Sequence, residues 1–214
     1  MGLLFRATET FAQRQTRAVD DANSDRPVHV TTGFSAYRCV VDVDVELGLV
    51  KVVQMDLAMD IGTVVHPVQA RGQVEGGTVQ GMGFGAMEDL KAEGGHLRNP
   101  NWRTYHIPTI VDAPRINAEF VCHPEPGYFY GWKGIGELPH VNAPVAVVAA
   151  IRNATGLDLP MTPATAEYIA QSLDDGSTLR LGEIGARSPH GPWGVRDGIE
   201  PSVGPWAKSR TGPG

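Results

Sequence analysis

The sequence predicts an α+β fold: a β-hairpin, a glycine-rich helix, mixed strands and two C-terminal helices. Three observations carry this reading. Residues 41–46 alternate strictly between valine and acid, and a second β-rich run follows after a short break. Two later stretches, residues 143–155 and 162–173, carry helix-terminus signals. Strands and helices never settle into a regular βαβ alternation.

Tyr37 to Glu46 is the first predicted strand, with Val41, Val43 and Val45 on one face and Asp42, Asp44 and Glu46 on the other. Leu47-Gly48 is read as a two-residue break and Leu49 to Ala58 as the returning strand. Asp60-Ile61-Gly62 ends it in a loop. His66-Pro67 reads as a helix start, because proline at the first helical position loses no hydrogen bond. That helix is expected from Val68 to about Leu90. Asn101 to Ile110 is a short polar-aromatic stretch, and Ile116 to His123 a strand. Ala143 to Thr155 is a compact helix of alanine and valine closed by Gly156. The last helix is expected to open with Thr162 as its cap and Pro163 next, and to run to about Leu173.

The chain divides into a polar lead-in (1–33, extended or partly helical), a patterned core (34–174) and a Gly/Pro-rich tail (175–214). The tail has no apolar period and cannot offset its own ordering entropy. It is expected to be mobile, or to order as an arm on a partner with Trp193 and Trp206 as anchors. An apolar content of 42% with 20% charge is globular and excludes wholesale disorder or a coiled coil. No apolar run reaches membrane-spanning length, and the start shows no signal-peptide pattern. A net charge of −6 gives no reason to bind nucleic acid. Cys39 and Cys122 are too few for an iron–sulfur site and read as free thiols of a reducing, cytoplasmic compartment.

Two segments carry candidate chemistry. In Gly72–Gly85, six glycines each cost a helix about 1 kcal/mol against alanine, so something must offset them. Gly77, Gly81 and Gly85 sit four apart and form one stripe, along which a backbone or a flat ligand can approach. Gln73, Gly77 and Gln80 share a face. Spacing alone favours the plainer alternative, a buried helix using glycines for helix–helix contact, over a cofactor face. The second segment is Gly131-Trp132-Lys133-Gly134-Ile135-Gly136-Glu137-Leu138-Pro139. Its glycines allow a tight turn whose N–H groups converge on an anion or an oxygen, followed by a carboxylate held on one side by proline. The ordinary alternative is a solvent-exposed loop glutamate. His66, His106, His123 and His140 are scattered singly, so a protein-ligated metal is not expected. Phosphate-loop, dinucleotide-fold and hydrolase-nucleophile motifs are missing.

The order Asp60-Ile61-Gly62, His66-Pro67, Gly72-Gln73, Gly76-Gly77, Gln80-Gly81-Met82-Gly83, Tyr105-His106-Ile107-Pro108-Thr109 and Lys133-Gly134-Ile135-Gly136-Glu137 strongly resembles one family. It is the molybdopterin-binding large subunit of the xanthine dehydrogenase/aldehyde oxidase/carbon monoxide dehydrogenase family. The resemblance covers roughly residues 34–173 and corresponds to the last portion of that subunit. It implies that Gln73 matches the glutamine whose amide hydrogen-bonds an oxygen ligand of molybdenum, and that Glu137 matches the general base. Gly134, Ile135 and Gly136 match backbone lying against the cofactor, with Gly76, Gly77, Gln80 and Lys133 beside it. The implied cofactor is molybdopterin, usually in its cytosine dinucleotide form, holding the metal by its dithiolene. The implied reaction is hydroxylation of an aldehyde or N-heterocycle with water as oxygen source. Iron–sulfur and flavin (FAD) centres are then expected in partner subunits, and the missing N-terminal half of the molybdenum-binding subunit in another polypeptide. The competing reading is a non-catalytic truncated remnant or assembly subunit that binds no cofactor on its own.

Overall fold

The computed structural model describes residues 6–12, 14–19 and 25–175. Apart from its first residue, the expected tail, with Trp193 and Trp206, lies outside the described residues. The elements are β1 (Phe34–Val43), β2 (Val50–Asp60), α1 (Pro67–Ala86), β3 (Ala92–Glu93), β4 (His96–Leu97), α2 (Trp102–Tyr105), β5 (Arg115–Val121), α3 (Leu138–Thr155) and α4 (Ala166–Asp174). This is the mixed α+β class that the sequence predicts.

The main sheet has the order β1-β2-β5, with β1 antiparallel and β5 parallel to the central strand. Register aligns Cys39, Met55 and Ile116 across it, then Tyr37, Leu57 and Ala118, then Ser35, Met59 and Phe120. Met55 and Met59 on this face are fully buried. Helices α1 and α3 pack on each other, α3 also against β1 and α1 against β5. Side chains alternate along a strand, so the other face is polar. There Asp56 accepts hydrogen bonds from Arg38 (2.9 Å), Gln54 (2.7 Å) and Asn117 (2.7 Å). Desolvation pushes its carboxyl up, but these donors outweigh it and hold it below the usual range. Register slips once, between Val40 and Val41, leaving Val53 as the extra residue of a bulge. Val52 and Met55, three apart, therefore both reach the core.

Several boundaries differ from the sequence expectation. The hairpin loop is longer than two residues, because Asp44 accepts the N–H groups of Glu46 and Leu47 (both 3.0 Å) and closes on Leu49. Val45 and Glu46 thus leave the strand. Gly48 has φ +68°, and a Cβ there would lie 2.1 Å from the Ala166 carbonyl oxygen. Helix α1 starts where expected, with Pro67 first and His66 Nδ1 accepting from the Gln69 N–H (3.2 Å). It ends at Ala86 instead of Leu90, since Met87 and Glu88 both donate back to the Gly83 carbonyl. Helix α3 begins five residues early, at Leu138, and accommodates Pro144 inside. The cap of α4 is Thr165, whose hydroxyl accepts from the Tyr168 N–H, and Thr162-Pro163 belongs to the preceding loop. The described part of the lead-in forms no helix. Phe11 lies edge-on to Tyr128 at 5.6 Å, and Arg14 pairs with Glu125.

Candidate functional site

Helix α1 has glycines on two faces, and Gly83, seven residues after Gly76 on the same side, is packed, its missing Cβ 2.1 Å from Glu88 Oε1 and 2.7 Å from Pro108. Along the first, Gly77, Gly81 and Gly85 meet α3 so closely that no side chain fits. A Cβ at Gly77 would lie 2.9 Å from Pro139, at Gly81 2.6 Å from the His140 carbonyl, and at Gly85 3.1 Å from Val147. For these three the plainer helix–helix reading holds. Along the second face, a Cβ at Gly72 or Gly76 would meet nothing within 4 Å. Gln73, Gly76 and Gln80 are exposed, and neither glutamine amide has a hydrogen-bond partner among the described residues.

The start of α3 is fastened to this helix from below. The Tyr37 hydroxyl donates to the Pro139 carbonyl at 2.6 Å and lies 3.1 Å from Thr78 Oγ1. Its single proton is committed to Pro139, so Thr78 is the donor in the second bond. Burial pushes the Tyr37 hydroxyl above its ordinary pKa, against the opposing bond from Thr78. Glu137 occupies the position before α3 with φ −105° and ψ −21°, and its side chain makes no capping bond. It opens a helix instead of sitting in a free loop. Its carboxylate is exposed, with no partner among the described residues. Gly134 and Gly136, just before it, also have open space where a Cβ would stand.

A buried ion pair anchors the segment leading to Glu137. Lys133 Nζ lies 2.6 Å from Asp60 Oδ2, with the two side chains 4% and 10% exposed. The other carboxylate oxygen accepts from the Gly62 N–H (3.0 Å) and the His123 N–H (3.3 Å). Desolvation pushes the Asp60 carboxyl up, but the bonds from Lys133, Gly62 and His123 prevail and hold it below the usual range. The backbones meet as well: the Lys133 N–H donates to Ile61 (3.0 Å) and the Thr63 N–H to Gly131 (3.1 Å). Gly62 is required here. Its φ is +66°, and a Cβ would lie 2.2 Å from the Gly131 carbonyl.

Above this clasp opens a cleft of about 560 Å³, lined by His66, Gln69, Gly72 and Gln73 of α1's first half and by Trp132, Lys133 and Ile135 opposite. The structure therefore brings Gln73, Lys133 and Ile135 around one cavity. Gly76, Gln80, Gly134, Gly136 and Glu137 lie on exposed surface outside its lining. The pairing of Asp60 with Lys133 is what sequence reasoning missed. Both residues stand in motifs singled out above, but only tertiary structure brings them together. Among the described residues no three His, Cys, Asp or Glu side chains gather as a metal site.

Residues 3–114 match the family described as the molybdopterin cofactor-binding domain, which takes in most of the lead-in and all of α1. The putative xanthine dehydrogenase molybdenum-binding subunit of Escherichia coli is 35% identical over 149 residues, 66% of this chain and 20% of that protein. The carbon monoxide dehydrogenase large chain of Afipia carboxidovorans is 30% identical over 129 residues, 60% of this chain and 16% of its own length. Among solved structures, quinoline 2-oxidoreductase from Pseudomonas putida 86 superposes with TM-score 0.60 at 30% identity, covering 63% of this chain and 18% of that one. The chain thus spans about a fifth of the length of the curated relatives it matches.

Proposed function

The chain belongs to the molybdopterin cofactor-binding domain family, and from that premise we propose that it forms one wall of the catalytic site of a molybdenum hydroxylase. The face of α1 beside the start of α3 fits the cofactor in three respects. Gly72, Gly76, Gly134 and Gly136 leave space that no described side chain fills. Gln73 and Gln80 offer unpartnered amides. The donor set lacks a cluster of metal ligands among the described residues, as suits a metal carried by its own organic ligand. Gln73, Gly76, Gln80, Lys133, Gly134, Ile135 and Gly136 are the residues proposed to line the cofactor, and Gly77 supports them by seating Pro139 against α1.

When bound, the molybdenum cofactor supplies the redox centre and the water-derived oxygen for hydroxylating an aldehyde or N-heterocycle. The remaining work falls to this chain. Glu137 takes up a proton at its carboxylate. Exposure to the cofactor side and freedom from any capping bond leave that carboxylate available. Gln73 donates its amide to an oxygen of the cofactor, and the bare backbone at Gly134 and Gly136 permits close approach. We place the rest of the subunit in a completing polypeptide, with iron–sulfur and flavin centres in further partners, a cytosine dinucleotide form of the cofactor, and a cytoplasmic setting.

The observation that carries this reading is the cleft that brings Gly72 and Gln73 of α1 together with Lys133 and Ile135, two residues before the free carboxylate of Glu137. Its test is to purify the chain with the polypeptide that completes the subunit and to measure molybdenum per complex. Near-stoichiometric metal with hydroxylase activity supports the reading. A stable complex without molybdenum favours the non-catalytic alternative.

A further inference from the structure

We propose that Asp60 is a positioning residue for Glu137, acting through its buried contact with Lys133 to fix the segment 131–137 at the entrance of α3. The inference rests on the reading of Glu137 as the base. Lys133 lies four residues before Glu137, and between them Gly134 and Gly136 make no close contact with the rest of the chain. Ile135 between them packs on the cluster of Leu57, Met59, Ile61 and Val74, and the segment is further held at its two ends. At the far end Pro139 is pinned by Tyr37 and packed on Gly77. At the near end Asp60 Oδ2 grips Lys133 Nζ at 2.6 Å, and the Lys133 N–H is bonded to Ile61. Phe34 covers the same ammonium, 5.9 Å from its ring centre.

The chemistry of the pair agrees with this role. An ammonium only 4% exposed and already matched by a carboxylate is poorly placed to serve as a free cation for a phosphate. It is well placed to define geometry, because a buried charge tolerates few alternative positions. Asp60 is itself over-determined: Gly62 and His123 orient one oxygen, so the other points in a fixed direction. Glu137, one peptide group beyond Gly136, then inherits its location from β2, the central strand of the sheet.

The test uses Asp60→Asn and Lys133→Met in the full chain assembled with its completing polypeptide. Asparagine keeps the oxygen that accepts from Gly62 and His123 and removes only the charge facing Lys133. Hydrogen exchange is read at the Lys133, Thr63, His140 and Val141 amides, whose bonds define the clasp and the first turn of α3. Each variant is expected to speed these amides about tenfold more than the β1 amides. Turnover should fall about 10²-fold, as a misplaced base costs, with KM and, in Asp60→Asn, molybdenum content within about twofold. Should a single variant fail to fold, the double variant D60N/K133M, which leaves no buried charge, replaces it with the same expectation. Exchange unchanged at the four amides, or a raised KM with unaltered kcat, overturns the inference. Because exchange requires no bound cofactor, it separates failure of the clasp from failure of Glu137 as base, which Glu137→Gln reports.

Discussion

Helix α1 uses glycine in two settings, packed and open, and the contrast bears on the proposed cofactor surface. Where α1 meets α3, Gly81 is obligatory: its missing Cβ would stand 2.6 Å from a carbonyl and 2.7 Å from the Ala143 side chain. Around the corner, Gly72 and Gly76 meet nothing within 4 Å. A glycine in a helix interior is intrinsically unfavourable by about 1 kcal/mol, whichever face it lies on. On the filled face the packing of α3 offsets that cost. At Gly72 and Gly76 no described residue offers such a return, which agrees with the proposed cofactor face. Gly134 and Gly136 extend the open surface to the threshold of Glu137.

The sharpest test of the open face is the group at its edge. Glu137→Gln keeps size and hydrogen-bonding reach while removing basicity, so turnover of the assembled enzyme should drop by about 10²–10⁴ with cofactor content intact. Steady-state kinetics beside metal analysis checks this, and activity within a few-fold of the parent would remove Glu137 from the chemistry. Asp60→Asn probes the support beneath. Removing one partner of a buried pair is expected to cost about 3–5 kcal/mol of stability at neutral pH. The carboxyl is held below its ordinary value, so its contribution is present above about pH 3.9, the unfolded value. It is lost as pH falls through the lower folded value. Unfolding titrations from pH 7 to 2.5 should therefore show a constant gap between parent and variant down to about pH 4, closing below it. A gap that instead opens on acidification would contradict the pairing.

Gly81→Ala tests the filled face. Alanine is the better helix former, but here its methyl collides with backbone, and overpacking of this kind costs about 1–3 kcal/mol. Chemical denaturation should register the loss, and a neutral result would mean that α1 and α3 are less tightly seated than the contacts require. Gln73→Ala returns to the open face, where no bond within this chain is broken. Stability should hold to about 0.5 kcal/mol, while the complex turns over more slowly and retains less molybdenum.

The two faces also explain what the sequence could disclose. Local rules placed the start of α1, because Pro67 and His66 are adjacent and their effect is local. They found β1 through its valine–acid alternation, though neither its start, three residues earlier at Phe34, nor its end, which the Asp44 side chain decides. They could not place the start of α3. Pro139 and the glycines before it look like a turn, and only the contact of Pro139 with Gly77 and Tyr37 shows a helix already under way. The collinear motifs carried the family and the glycine face as a whole. Which glycines served packing and which stayed open was not encoded at any sequence spacing, since both sets lie on one helix at similar intervals. Lys133 makes the same point for charge: the resemblance set it beside the cofactor, and its partner Asp60, 73 positions away, is visible only in the fold.

The smallest expected effect discriminates best between the faces. Gly76→Ala adds one methyl where nothing stands within 4 Å, in the interior of a regular helix. With no clash to offset it, the higher helix propensity of alanine should stabilise the chain by about 1 kcal/mol. A melting temperature a few degrees higher is the corresponding observation. The opposite sign is expected once the open face is covered, because the methyl then occupies space that the cofactor or the completing polypeptide needs. One substitution should therefore raise the stability of the uncovered chain and lower the molybdenum retained by the complex. Gly81→Ala cannot show that reversal, as its methyl collides with α3 in both states. If Gly76→Ala stabilises the chain and leaves metal content untouched, the open face has no tenant at that position, and the glycines there carry no information about the site.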